Sequence, residues 1–306
     1  MSRGAEQVHI AEQEDGTFQA LWGPFVLRSA FQPIFRFVEG RLEIRAFEGL
    51  IRPFRDGQDV SPPVFFRSIP AGDRLHVETL TRNLHLLNAG RFLDPATMLF
   101  VNFDPSVFLD REMTMIALRE MRKTLHRSGI DARRVVCEVT EQKSASEAAL
   151  AAFVGALRDH GFQIAVDDYG AEDSDMERVA ALKPDIVKFD AQWISRLMDT
   201  RPGVALLSVM VGDFAGRGIT VVFEGLEEPW QLELAEQVGA HMVQGYVLAR
   251  PELAPTSFSA FLARGGDGSM LVSPAPDPAR AYGGLAKDAP RRVMQGAKPF
   301  GRRFST

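Results

Sequence analysis

Seven short apolar runs each close on a residue that can hold a cation, a phosphate or an amide. The runs EIRAFE, MLFVN, RVVCE, IAVDD, DIVK, TVVFE and HMVQ deliver Glu48, Asn102, Glu138, Asp167 with Asp168, Lys188, Glu224 and Gln244. Five carboxylates and one asparagine, with no histidine among them, form an oxygen-rich anionic set. Such donors suit hard divalent cations such as Mg²⁺ or Mn²⁺. Holding them together is costly without a counter-charge, since two like charges ~4 Å apart repel by roughly 4 kcal/mol at an effective dielectric of 20. The adjacent Asp167 and Asp168 could divide their oxygens between two ions. A two-metal site clamps the attacking and leaving oxygens of an in-line phosphoryl displacement. Lys188 adds a point charge for a phosphate oxygen or the attacking water.

These groups need a scaffold that gathers strand ends. Each run reads as a short buried strand, and between the strands lie amphipathic segments: HVETLTRNLHLLNAG, EMTMIALREMRKTLHRSG, ASEAALAAFVGALRDHG, PGVALLSVMVGDFAGRG and PWQLELAEQVGA. All five finish at or near a glycine, a helix stop signal. Regular strand–helix alternation implies a mostly parallel sheet covered by helices, and its length and evenness favour a closed barrel. Strand phase agrees. Glu138 shares a face with Val136, Glu224 with Val222 and Thr220, and Asp167 with Ala165 and Gln163, while Cys137, Val221 and Phe223 take the opposite face. The polar residue thus tops an inward row, and Phe223 and Val221 pack outward against helices.

Composition sets further bounds. The chain has 306 residues, 45% of them hydrophobic and 25% charged, with a net charge of −5, so no global basic field exists for a nucleic acid polymer. No apolar run is long enough for a membrane span. The acidic N-terminus does not read as a signal peptide, and the single cysteine excludes an internal disulfide; both fit a cytoplasmic location. The histidines show no H-x-H or H-E-x-x-H spacing, which disfavours zinc hydrolysis, and no G-x-S-x-G elbow occurs. Residues 1–24 lack strong periodicity and read as a cap or arm, 25–262 as the barrel domain, and 263–306, rich in Gly, Pro and Arg, as a disordered basic tail.

At these residues the chain resembles the EAL-domain family, the bacterial cyclic-di-GMP phosphodiesterases. The resemblance runs over about 28–262 and rests on motifs in family order: Phe31-Gln32-Pro33-Ile34, Glu48-Gly49-Leu50-Ile51-Arg52, Asn102, Glu138-Val139-Thr140-Glu141, Asp167-Asp168-Tyr169-Gly170, Lys188-Phe189-Asp190, Glu224-Gly225-Leu226-Glu227, and Gln244-Gly245-Tyr246 with Arg250-Pro251. It implies a modified (β/α)8 TIM-type barrel whose first strand, near Phe25–Ile34, is antiparallel. It implies metal-dependent hydrolysis of cyclic-di-GMP to linear pGpG. Glu48, Asn102, Glu138 and Asp167 would hold one metal, with Asp167 and Asp168 on the second. Lys188 would orient the water, and Glu224 would be general base or a ligand near the second metal. Gln32, Leu50, Arg52, Asp190 and Gln244 would contact the dinucleotide, with Arg52 on a phosphate. Glu141 would brace the loop after Asp168.

The chain departs from the family pattern in places. The loop after Asp168 reads Tyr169-Gly170-Ala171-Glu172-Asp173-Ser174-Asp175, with an acid where the family has a glycine. In the family this loop couples dimer contacts to metal binding. That departure motivates the alternative of a catalytically weak or inactive cyclic-di-GMP receptor, with a homodimer or a regulatory protein as partner. Gly49 replaces the usual alanine, a change expected to add only flexibility, and Phe103-Asp104 follow Asn102 where the family has Leu-Ser.

Overall fold

The structure, a computed structural model, describes residues 10–104, 111–139, 147–171 and 176–258. Its centre is a closed eight-stranded barrel. The strands are β3 (Phe25–Val38), β4 (Arg41–Arg55), β6 (Met98–Phe103), β7 (Val135–Val139), β8 (Gln163–Tyr169), β9 (Ile186–Phe189), β10 (Thr220–Phe223) and β11 (Met242–Val243). Neighbours from β4 through β6 to β11 run parallel. The first strand, β3, is antiparallel to both β4 and β11 and closes the ring between them. This matches the expected topology.

Helices α2 (Arg74–Phe92), α3 (Arg111–Ser128), α4 (Glu147–Asp159), α7 (Arg201–Gly216) and α8 (Pro229–Gln237) coincide with the five amphipathic segments. The shorter α1 (Pro62–Arg67), α5 (Met176–Leu182) and α6 (Ala191–Met198) complete the described helices of eight residues or fewer outside 3-10 turns. An outer apolar layer, including Val221, Phe223 and Cys137, lies between strands and helices. Within the ring a second layer packs Ile34, Ala46, Met98, Phe100, Val136, Ala165, Ile186, Val222 and Met242. This plug makes the barrel a filled core rather than a pore.

From Ile10 on, the segment read as a cap or arm holds a strand pair. β1 (Ile10–Glu12) and β2 (Phe18–Trp22) are antiparallel, and β2 pairs with the start of β3. Asn88 of α2 clamps it: Phe18 N–H donates to Asn88 Oδ1 at 2.9 Å, and Asn88 Nδ2 donates to Phe18 O at 2.9 Å. Phe18 and Ala20 are also buried in an apolar cluster with Phe25, Leu27 and Leu84, but two buried residues are too short a period to read. Two further short strands, β5 (Gln58–Asp59) and β12 (Glu252–Leu253), pair with β4 and β3. No described helix is long and apolar enough to cross a membrane. Glu141, the 172–175 loop and the tail from 263 lie outside the described residues.

Candidate metal and phosphate site

The inner plug fixes where the site must be. Side chains two residues apart on a strand share a face, and on each parallel strand the uppermost plug residue is followed two positions later by a predicted site residue, with Met98 one step below Phe100. Ala46 leads to Glu48, Phe100 to Asn102, Val136 to Glu138, Ala165 to Asp167, Ile186 to Lys188, Val222 to Glu224 and Met242 to Gln244. On the antiparallel β3 the order reverses, and Gln32 precedes Ile34. Register binds the row laterally: Gln32 pairs with Glu48 and Asn102 with Glu138.

Asp168 should face away from Asp167 on a regular strand. It does not, because the β8–β9 register shifts between Val166 and Tyr169 and Asp168 adopts φ 55°. A bulge re-aims a side chain in this way, and aspartate tolerates the left-handed region better than most residues. Oxygens of Asp167, Asp168 and Glu224 consequently lie within 4.8 Å of one another.

Lys188 lies fully inside, its ammonium against Glu138, 3.1 Å from Asp167 Oδ1 and 2.6 Å from Glu224 Oε1. Burial alone would pull this ammonium toward neutrality. Asp167, Glu138, Glu224 and Glu48 outweigh that and hold its pKa well above the usual lysine value. Burial pushes the Glu138 carboxyl upward against the opposing pull of Lys188. The same cause raises Glu224 to about 8, partly offset by Lys188. Gln244 Nε2 donates to Glu48 Oε2 at 2.8 Å across the closing seam of the barrel. Within the cage, Glu138 Oε2 and Gln244 Oε1 are buried with no hydrogen-bond partner and no ion pair to Lys188. A buried acceptor without a donor costs about 1–3 kcal/mol. The donor set therefore fits a hard cation, which would satisfy such oxygens.

The remaining predicted residues sit around this cage. Gln32 donates from Nε2 to Ala249 O at 3.1 Å, and shares a cavity of ≈ 330 Å³ with Glu48, Glu224, Gln244 and Tyr246. Leu50, Arg52 and Asn102 line a neighbouring cavity of ≈ 460 Å³. Asn102 stands beside Glu138 in register, but its side chain is exposed toward this second cavity. Asp190 is the N-cap of α6, accepting from Trp193 N–H at 2.8 Å.

Several contributors were not legible from sequence. Arg82, buried on α2, lies over the Phe103 ring at 4.1 Å and donates to Asn102 O, bracing that strand end. His85 lines the larger cavity and bonds Ser29 Oγ through Nδ1 at 2.9 Å. Arg250, already part of the Gln244-Gly245-Tyr246 motif, lies 4.2 Å from the Tyr246 ring centroid beside the smaller cavity. Helical period marks Arg82 and His85 as core-facing, and a basic residue in such a stripe was the available signal.

Gly49 is also more than the flexible variant of alanine expected. Its φ is not in the left-handed region. A Cβ there would meet the His85 ring at 3.0–3.3 Å. The glycine makes room for an imidazole.

A filled barrel with an acidic cage at its strand C-termini defines a metal-competent β/α-barrel scaffold. The EAL domain family profile matches residues 26–251, and the chain belongs to that family. It is 29% identical over 228 residues to the uncharacterized EAL-domain containing protein YkuI of Bacillus subtilis (strain 168), covering 72% of this chain and 54% of that protein. It is 29% identical over 154 residues to the probable cyclic di-GMP phosphodiesterase PdeA of Escherichia coli (strain K12), covering 50% of this chain and 20% of that protein. The YkuI crystal structure, in complex with c-di-GMP and calcium, superposes with a TM-score of 0.64 at 26% identity over 74% of this chain and 56% of that one. The chain thus spans about half the length of the first of these relatives and a fifth of the second.

Proposed function

We propose that the protein hydrolyses cyclic-di-GMP to linear pGpG with the help of two divalent cations, Mg²⁺ or Mn²⁺. The observation that carries this reading is the cage itself. Five carboxylates and one ammonium meet above a sealed apolar plug, and with all groups ionised they leave a formal charge of −4, which two divalent cations would balance. Glu48, Asn102, Glu138 and Asp167 would hold one ion, and Asp167 with Asp168 the other. Bound there, the ions would lower the pKa of a water and offset charge developing on the phosphate.

The chain's own groups do the rest. Lys188 Nζ is held charged and immobile by its carboxylates, so it can orient a water or a phosphate oxygen. Glu224 keeps Oε1 on Lys188, which leaves Oε2 to accept a proton. In its ionised form, with the cations offsetting the neighbouring carboxylates, it would serve as general base. Gln244 holds Glu48 with its amide N–H, and its buried Oε1 is left without a hydrogen-bond partner. Arg52 would take a phosphate, while Gln32, Leu50 and Asp190 would contact the rest of the dinucleotide.

The test is turnover of cyclic-di-GMP by the purified chain with Mn²⁺ or Mg²⁺. Linear product is expected, and none from Asp167→Ala or Glu48→Ala. Tight binding with no product from the native chain would reject hydrolysis and leave the receptor reading. Native turnover in Asp167→Ala would reject the metal assignment.

A further inference from the structure

Asp167, Asp168 and Glu224 come from two strand ends separated by β9, and something must fix the distance between them. The first turn of α6 reaches both. The residue following the Asp167–Asp168–Tyr169 turn is Gly170, φ 96°. Its backbone lies so close to the Trp193 indole that a Cβ would fall 2.3 Å from Cδ2 and 2.6 Å from Cγ. The residue following Glu224 is Gly225, φ 61°, where a Cβ would fall 2.3 Å from Ala191 Cβ. Ala191 and Trp193 are the first and third residues of α6.

The wedge is itself anchored. Asp190 caps the helix by accepting from Trp193 N–H at 2.8 Å, and Asp190 N–H donates to Tyr169 O at 3.0 Å. The Tyr169 ring stacks on Phe189 at 5.2 Å and meets Trp193 edge-on at 5.8 Å. Ala171 N–H closes the turn on Asp168 O at 3.0 Å. Asp168 is thereby held at a φ that an unsupported aspartate occupies rarely.

We propose that Trp193 is a positioning residue. Its indole face supports Gly170 and holds the Asp167–Asp168 turn at the geometry in which both carboxylates face Glu224. This rests on the divalent-cation reading of the cage. Outer partners that orient ligands typically contribute 10–100-fold in metal affinity.

The experiment is Mn²⁺ titration of the substrate-free protein, followed by electron paramagnetic resonance, for the native chain, Trp193→Phe, Trp193→Leu and Trp193→Ala. Circular dichroism and thermal melts accompany each protein. Trp193→Phe keeps a flat face and is expected to bind Mn²⁺ within a few-fold of native. Trp193→Leu and Trp193→Ala are expected to weaken it about tenfold or more, with helix content preserved. Native Mn²⁺ affinity in the folded Leu or Ala variant overturns the inference. So does loss of fold in both, which would make Trp193 a core residue and nothing more. If the native chain itself binds no Mn²⁺, the cage reading falls first, and that outcome is distinguishable from a Trp193 effect.

Discussion

Lys188 is one ammonium set among three carboxylates with almost no access to water. Breaking a buried ion pair leaves the partner charge uncompensated, at a cost of about 3–5 kcal/mol. Lys188→Met should therefore lower unfolding free energy by that order in metal-free buffer at pH 8, measured by urea denaturation. Adding Glu138→Gln, which removes the most deeply buried of the three charges, should restore part of the loss. A single variant as stable as the native chain would show that the carboxylates are neutral without the lysine. Glu224 tests the chemistry separately. Glu224→Gln keeps shape and hydrogen bonding but cannot take a proton. It should bind cyclic-di-GMP normally and cleave at least ~100-fold more slowly, given usual acid–base contributions. Full-rate cleavage would take Glu224 out of the reaction.

At the scale of elements, β4 and α2 meet through an absent side chain. Gly49 leaves space that His85 fills, and His85 is tied to β3 through Ser29. Gly49→Ala should destabilise by about 1–3 kcal/mol as overpacking does. Combining it with His85→Ala should cost less than the two single losses added, a coupling that thermal or urea unfolding would measure. Additive losses would mean the ring moves aside freely. Such contacts explain what the sequence could and could not reveal. The strands and five long helices were readable because each has one apolar face of fixed period, and the site residues because each tops a period-two row. The β1–β2 pair was not, since its inward row is only Phe18 and Ala20, too short to mark a period. Nor was α6, whose eight residues carry their role in contacts to Gly170 and Gly225. Asp168 was placed in the site from its motif, whereas the bulge that turns it inward leaves no mark in composition.

For the whole molecule, acid sensitivity follows from the network joining the N-terminal strands, the barrel and α2. Ser29 of β3 accepts from Asn88 Nδ2, Asn88 clamps Phe18 of β2, and His85 bonds Ser29. Burial, reinforced by Arg52 and Arg82, lowers the His85 pKa from 6.5 to about 3. In the folded chain it stays neutral where the unfolded chain takes a proton. Between these two values the unfolded state binds more protons, so stability rises with pH there and falls as pH drops below the unfolded value. From pH 7.5 to 5.5 this one group should remove about 1.4 kcal/mol, the equivalent of one pKa unit below the unfolded value. Carboxylates add their own pH dependence, and the comparison that isolates His85 is with His85→Gln, which cannot protonate. Urea unfolding at both pH values should show the native chain losing that much more stability than the variant. Equal losses in the two proteins would place a proton on His85 in the folded state, and with it a charge beside Arg52 and Arg82 that the cavity would have to neutralise.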